Sequence, residues 1–114
     1  MDKTAWELIL PAGMLEYFDV VSVDSSNECY SIHLVEKPLT SGEFKGRSLE
    51  SHGFYEPVVI KDFPLRGKAC LLHVKRRRWL DKTTSTTVSR DWQLIADGTR
   101  LTKEFADFLK ALHR

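Results

Sequence analysis

Alternation of apolar and polar side chains is clearest over Cys29 to Glu36, where Tyr30, Ile32 and Leu34 interleave with Ser31 and His33. A period of two marks a strand with one buried face. Val20 to Asp24 reads as a strand before it, and Ser25-Ser26-Asn27 between them as a turn. Ahead of both, Thr4 to Leu10 reads as a short helix halted by Pro11, which has no amide proton and cannot continue the ladder. A second brief turn is expected over Gly13 to Phe18. Near the other end, Leu101, Phe105, Phe108, Leu109 and Leu112 recur at helical spacing. Thr102 is the candidate N-cap of that helix. Glu104 and Asp107 early in it, and Lys110, His113 and Arg114 late, suit the helix dipole.

Between these ends the pattern is less regular. Residues 37–53 contain Pro38, Gly42, Gly46 and Gly53 with little periodicity, and are expected as a loop or hinge. Beyond Pro57, Val58 to Phe63 reads as a strand and Pro64-Leu65-Arg66-Gly67 as a turn. Lys68 to Leu80 then forms one long extended stretch, Asp81 to Thr86 turns the chain, and Thr87 to Ile95 returns until Asp97-Gly98 breaks it. The expected fold is α+β: small antiparallel sheets, a β-meander with a long basic β-hairpin, a short N-terminal helix and a C-terminal helix.

Charge adds an asymmetry that the net value of +1 conceals. Residues 1–56 hold four Lys/Arg against ten Asp/Glu, and residues 57–114 hold thirteen against six. The sequence is therefore expected to divide into an acidic N-terminal α+β lobe, 1–56, and a basic meander with its helix, 57–114, as two domains or two lobes of one. An acidic half joined to a basic half points to a polyanion as partner of the basic part.

Other chemistry is sparse. Cys29 and Cys70 form neither a Cys-x-x-Cys pair nor a disulfide framework. His33, His52, His73 and His113 share no ligand spacing and read as isolated histidines. Asp81, Asp91 and Asp97 lie among cations and read as salt-bridge partners. No Gly-rich phosphate loop is present, so no enzyme, metal or cofactor is expected. No apolar run reaches the roughly 18 residues needed to span a bilayer, and the expected setting is cytoplasmic.

The sharpest local feature is Lys75-Arg76-Arg77-Arg78-Trp79. On a strand, Lys75, Arg77 and Trp79 point one way, and Arg76 and Arg78 the other. Four successive cations cannot all be buried unpaired. The run is therefore expected to leave the core as a two-stranded ribbon, a shape that fits the DNA major groove. Arg66, Lys68, Lys82, Arg90, Arg100 and Lys103 extend the candidate patch. Trp79 and Trp92 either stack on bases or brace the ribbon as a cross-strand pair. The alternative for the cations is a guard against edge-to-edge aggregation, without a ligand.

Three strings carry a resemblance: Leu-His-Val-Lys-Arg-Arg-Arg-Trp-Leu-Asp-Lys, Val-Ser-Arg-Asp-Trp-Gln-Leu-Ile-Ala and Gly-Thr-Arg-Leu-Thr-Lys-Glu-Phe-Ala-Asp-Phe-Leu. Together with Met14-Leu15-Glu16-Tyr17-Phe18 and Ser51-His52-Gly53-Phe54-Tyr55, they resemble the N-terminal region of ISAon-type insertion-sequence transposases. The resemblance implies a non-catalytic module that binds double-stranded DNA at the ends of a bacterial mobile element. A separate catalytic domain or subunit of the DDE, RNase-H-like class would act on that DNA. In wider relatives a similar arginine-rich strand belongs to a zinc ribbon. This chain has no cysteine from 71 to 114, and no zinc site carries over. The alternative reading is an assembly module in which Phe105, Phe108, Leu109 and Leu112 dock the catalytic subunit or form a homodimer.

Overall fold

A computed structural model of the chain describes residues 3–39, 44–92 and 103–112. It divides into two compact units, one of Met1–Phe18 with Asp91–Arg114, the other Asp19–Arg90.

The first unit is helical. Helix α1 spans Lys3–Ile9 and ends as expected at Pro11, with the Leu10 amide donating to the Trp6 carbonyl at 2.9 Å. Gly13, at φ 95°, turns the chain into α2, Met14–Tyr17; a residue with a Cβ would be strained there. Helix α3 spans Lys103–Leu112. Its apolar stripe is buried: Phe105, Leu109 and Leu112 are 0% exposed and Phe108 is 5% exposed. Phe18 stacks on Trp92 at 5.0 Å and meets Phe108 edge-on at 5.8 Å, while Tyr17 packs against both Trp92 and Phe105. The stripe therefore closes this unit's own core. Thr102 and Leu101 lie outside the described residues, as do the expected break at Asp97-Gly98 and the end of the strand expected over Thr87 to Ile95.

The second unit holds two sheets. The first has strand order β1-β2-β5-β4, with β1 Phe18–Ser25, β2 Cys29–Glu36, β4 Val58–Leu65 and β5 Lys68–Lys75. The turn between β1 and β2 is fixed by the Ser26 hydroxyl, which accepts from the amides of Glu28 and Cys29. Ile32, Leu34, Cys70, Leu72 and Val74 are buried, on the faces that the period of two assigns. The second sheet has order β3-β6-β7, with β3 Leu49–Phe54, β6 Arg77–Asp81 and β7 Thr86–Val88, all antiparallel.

The α+β class, the small and mostly antiparallel sheets and the helices near both ends are as the sequence implies. Four details differ. The stretch Lys68 to Leu80 is two strands in two sheets, separated at Arg76, so the basic run joins sheets and does not leave as a free ribbon. Residues 37–53, expected as loop, contain most of β3, which becomes the partner of β6. Among the described residues the return strand is β7, three residues long. Strands β2 and β5 pair in parallel, from Cys29 opposite Ala69 to Val35 opposite Lys75. That pairing, with β3 on β6, crosses the expected divide between 1–56 and 57–114, which therefore separates no compact units.

Because Leu109 has no exposed surface and sits in an aromatic core, Leu109→Ala is expected to lower the unfolding free energy by about 3 kcal/mol, cavity included. Phe108→Ala should cost about as much. Urea denaturation of each variant measures both.

Candidate nucleic-acid interface

The four cations of the run have four different settings. Lys75 ends β5 and is exposed. Arg76 sits between the sheets; its carbonyl accepts the Tyr55 amide at 2.9 Å, and its guanidinium lies 5.2 Å from the Tyr55 ring centre. Arg77 is a clamp. Its Nε and Nη2 donate to the Glu36 carbonyl at 3.2 and 2.9 Å, its Nη1 donates to the Ser51 hydroxyl, and its guanidinium covers the Phe54 ring at 4.7 Å. Arg78, on the opposite face, donates from Nε to the His52 carbonyl at 3.1 Å, which leaves its two terminal nitrogens without a hydrogen bond among the described residues. None of the four forms a salt bridge with a carboxylate among the described residues.

The outlying candidates scatter. Arg66, at φ 52°, forms the exposed turn between β4 and β5. Lys68 donates to the Ser26 carbonyl at 2.8 Å and lies over the Tyr30 ring. Lys82 faces Glu50 at 3.8 Å. Arg90 is buried, donating to the Leu39 carbonyl and lying 4.5 Å from the Phe44 ring centre, so it serves the interior of its unit. Arg100 is outside the described residues, and of Lys103 only the backbone is described.

The tryptophans are packing residues. Trp79 is 3% exposed, meets Phe44 at 5.7 Å and stands opposite Val88; Trp92 is 1% exposed in the helical unit. Trp92 lies in no strand, so the two form no cross-strand pair, and, being buried, neither offers a ring face to a base. Phe105, Phe108, Leu109 and Leu112 are likewise not a docking face, because they are buried within their own unit.

Glu36, which the sequence did not single out, shapes this region, as do Asp81, expected as a salt-bridge partner, and two of the histidines. Glu36 is 1% exposed at the end of β2, and the Arg77 amide donates to its Oε1 at 2.9 Å. Burial pushes its pKa above 4.5; the Arg77 amide, the charge of Arg90 and the Trp79 indole hold it down in part. The signal was present: Glu36 continues the row Tyr30, Ile32, Leu34. Asp81, also buried, pairs with Arg47 at 2.8 Å and accepts the Thr83 amide, and the Arg47 bond leads in lowering its pKa. His33 and His73, expected to stand alone, stack at 4.6 Å because the parallel register places them side by side. Asp24 holds His33 at 3.0 Å, and burial leads in lowering the His73 pKa. Both rings line a shallow cleft of about 150 Å³ with Lys75 at its margin. Among the described residues, no cluster of three or more His, Cys, Asp or Glu could hold a metal, and no helix is long and apolar enough to cross a membrane.

Compared with family models, curated proteins and solved structures, the chain finds no match in any of the three.

The buried carboxyl gives a pH test. Glu36 binds its proton more tightly in the folded chain than in the unfolded one, so its contribution to stability is full below pH 4.5 and is lost as pH rises through the folded value. Glu36→Gln should remove that decline, so that the difference in urea midpoint between variant and parent grows from acid towards neutral pH. Arg77→Ala, which strips the clamp from the Glu36 carbonyl, should destabilise by about 2 kcal/mol in the same assay.

Proposed function

We propose that the chain is the non-catalytic DNA-binding part of a bacterial transposase, recognising the double-stranded ends of its mobile element beside a separate catalytic domain or subunit. The observation that carries this reading is that no cation of the run is tied up in a carboxylate salt bridge among the described residues. Its arginines are oriented by carbonyls and aromatic rings, and no carboxylate salt bridge neutralises them among the described residues. A guanidinium bound to a carbonyl keeps its whole positive charge, and its free N–H groups match phosphate oxygens. Residues 19–90 carry twelve Lys/Arg against nine Asp/Glu, so the wider unit favours a polyanion too.

Roles within the run divide. Lys75, Arg76 and Arg78 meet phosphate, whereas Arg77 and Arg90 hold the unit together. Base reading falls to groups other than Trp79 and Trp92, which are enclosed. The module works in the cytoplasm, where the element's DNA is.

Replacing Lys75, Arg76 and Arg78 together by Gln should weaken binding to a labelled duplex of the terminal repeat at least about tenfold and flatten its salt dependence by about three contacts' worth. The circular dichroism melt should stay close to that of the parent. Fluorescence anisotropy across a salt series is the measurement. Unchanged affinity and slope in the folded triple variant would overturn the assignment.

A further inference from the structure

The DNA-binding reading places contacts at one end of β6 only, yet the other end is also cationic. There Lys82 and Arg47 are joined by Lys45. The Lys82 amide donates to the Ser48 carbonyl at 2.9 Å, and Arg47 holds Asp81 at 2.8 Å, which fixes the turn 44–48 against the β6–β7 hairpin. Lys45 is exposed and Lys82 is 56% exposed at its side chain. The hairpin tip between β6 and β7 is made of hydroxyl residues, Thr83, Thr84 and Ser85, and β7 begins with two more, Thr86 and Thr87, all exposed. Its shape is set by Ser85, at φ 56°, whose amide donates to the Asp81 carbonyl at 2.7 Å, and by the hydroxyls of Thr84 and Thr86, 2.6 Å apart.

Resting on the reading above, we infer that the second sheet lies across a groove of duplex DNA, gripping phosphates of one strand through the Arg76 and Arg78 end. The hairpin tip with Lys45 and Lys82 grips the other strand. Strand alternation sets Arg78 and Leu80 on one face of β6, and Lys82 follows directly after its last residue, Asp81. Lys82 lies four positions beyond Arg78, about 13 Å at strand spacing. The major groove is roughly 12 Å wide, so cations at the two ends reach phosphates on its two sides. Hydroxyl side chains and main-chain amides are common phosphate donors, and the tip offers several beside two lysines. Between the ends, Glu50 and Thr87 stand opposite Leu80 on the two neighbouring strands. Lys82 exchanges its loose contact with Glu50, 3.8 Å, for a phosphate on binding.

The test measures binding of a labelled mixed-sequence duplex by fluorescence anisotropy over a salt series. Three variants of the full chain are compared: Lys45→Ala with Lys82→Ala, Arg76→Gln with Arg78→Gln, and, as control, Lys61→Ala with Lys110→Ala. The first two pairs should each lower affinity about tenfold and reduce the slope of log affinity on log salt by about two. The control pair, equal in charge but elsewhere, should leave both near the parent values. All the lysines replaced are exposed, and melting by circular dichroism confirms that each variant is folded. If the Lys45 and Lys82 pair leaves affinity and slope unchanged while the arginine pair lowers them, the second grip is wrong and the DNA reading stands. A loss from the control as large as from the tip would mean diffuse attraction, and would also overturn the second grip. No binding by the parent chain at low salt would overturn the DNA reading itself.

Discussion

Three hydrogen bonds between Glu36 and Arg77 decide how the second unit is built. The Arg77 amide donates to the Glu36 carboxylate, and two nitrogens of its guanidinium donate to the Glu36 carbonyl. They fasten the last residue of β2 in the first sheet to the first residue of β6 in the second. Without them the chain leaving β5 at Lys75 would have no reason to turn at Arg76. A strand continued in the first sheet would carry its cations along the buried face that Cys70, Leu72 and Val74 occupy. Changing sheets at the basic run resolves that conflict. The arginines fall where two sheets meet, against the carbonyl that ends β2 and the His52 carbonyl in the bulged part of β3. Charge that would be costly in a core becomes a fastener at a junction.

The junction also accounts for the carboxylate at its centre. Glu36 is taken out of water, which raises its pKa, yet Arg90 and Arg77 lie close enough to favour its charged form. Burial is the larger influence, so the site gains by holding a proton and loses as the group ionises. An exposed pair of the same unit, Lys82 with Glu50 at 3.8 Å, contributes far less, because water already solvates both partners.

Sequence reading found the elements whose signal is local. Strand β2 emerged from the alternation of Tyr30, Ile32 and Leu34, α1 from Pro11, and α3 from the spacing of Phe105, Phe108, Leu109 and Leu112. It missed what depends on distant pairing. Strand β3, Leu-Glu-Ser-His-Gly-Phe, has no alternation, and Gly53 at φ 83° interrupts it, so only its pairing with β6 makes it a strand. The parallel register of β2 and β5, and with it the stacking of His33 on His73, lies in no window of either segment. The candidate site was legible as a run of charge but not as a set of roles. Whether an arginine faces solvent or a carbonyl depends on the strand beside it, and the neighbour of β6 was the segment taken for a loop.

That division of roles follows from one comparison of energies. A guanidinium half withdrawn from water must recover its lost hydration from fixed acceptors, and Arg77 does so with all three of its nitrogens. Arg78 recovers it with one, keeping two nitrogens for water or for another anion. A planar fork held by its Nε alone has already given up much of its conformational freedom and still presents paired donors at its end. The ordering cost of a phosphate contact is then met in folding and not in binding. Lys75 and Lys82, on flexible stems, have no such preparation, and either could offer an anion only charge without direction. The β3 carbonyl that orients Arg78 is thus part of any anion site at this end of the sheet, although it never touches the ligand.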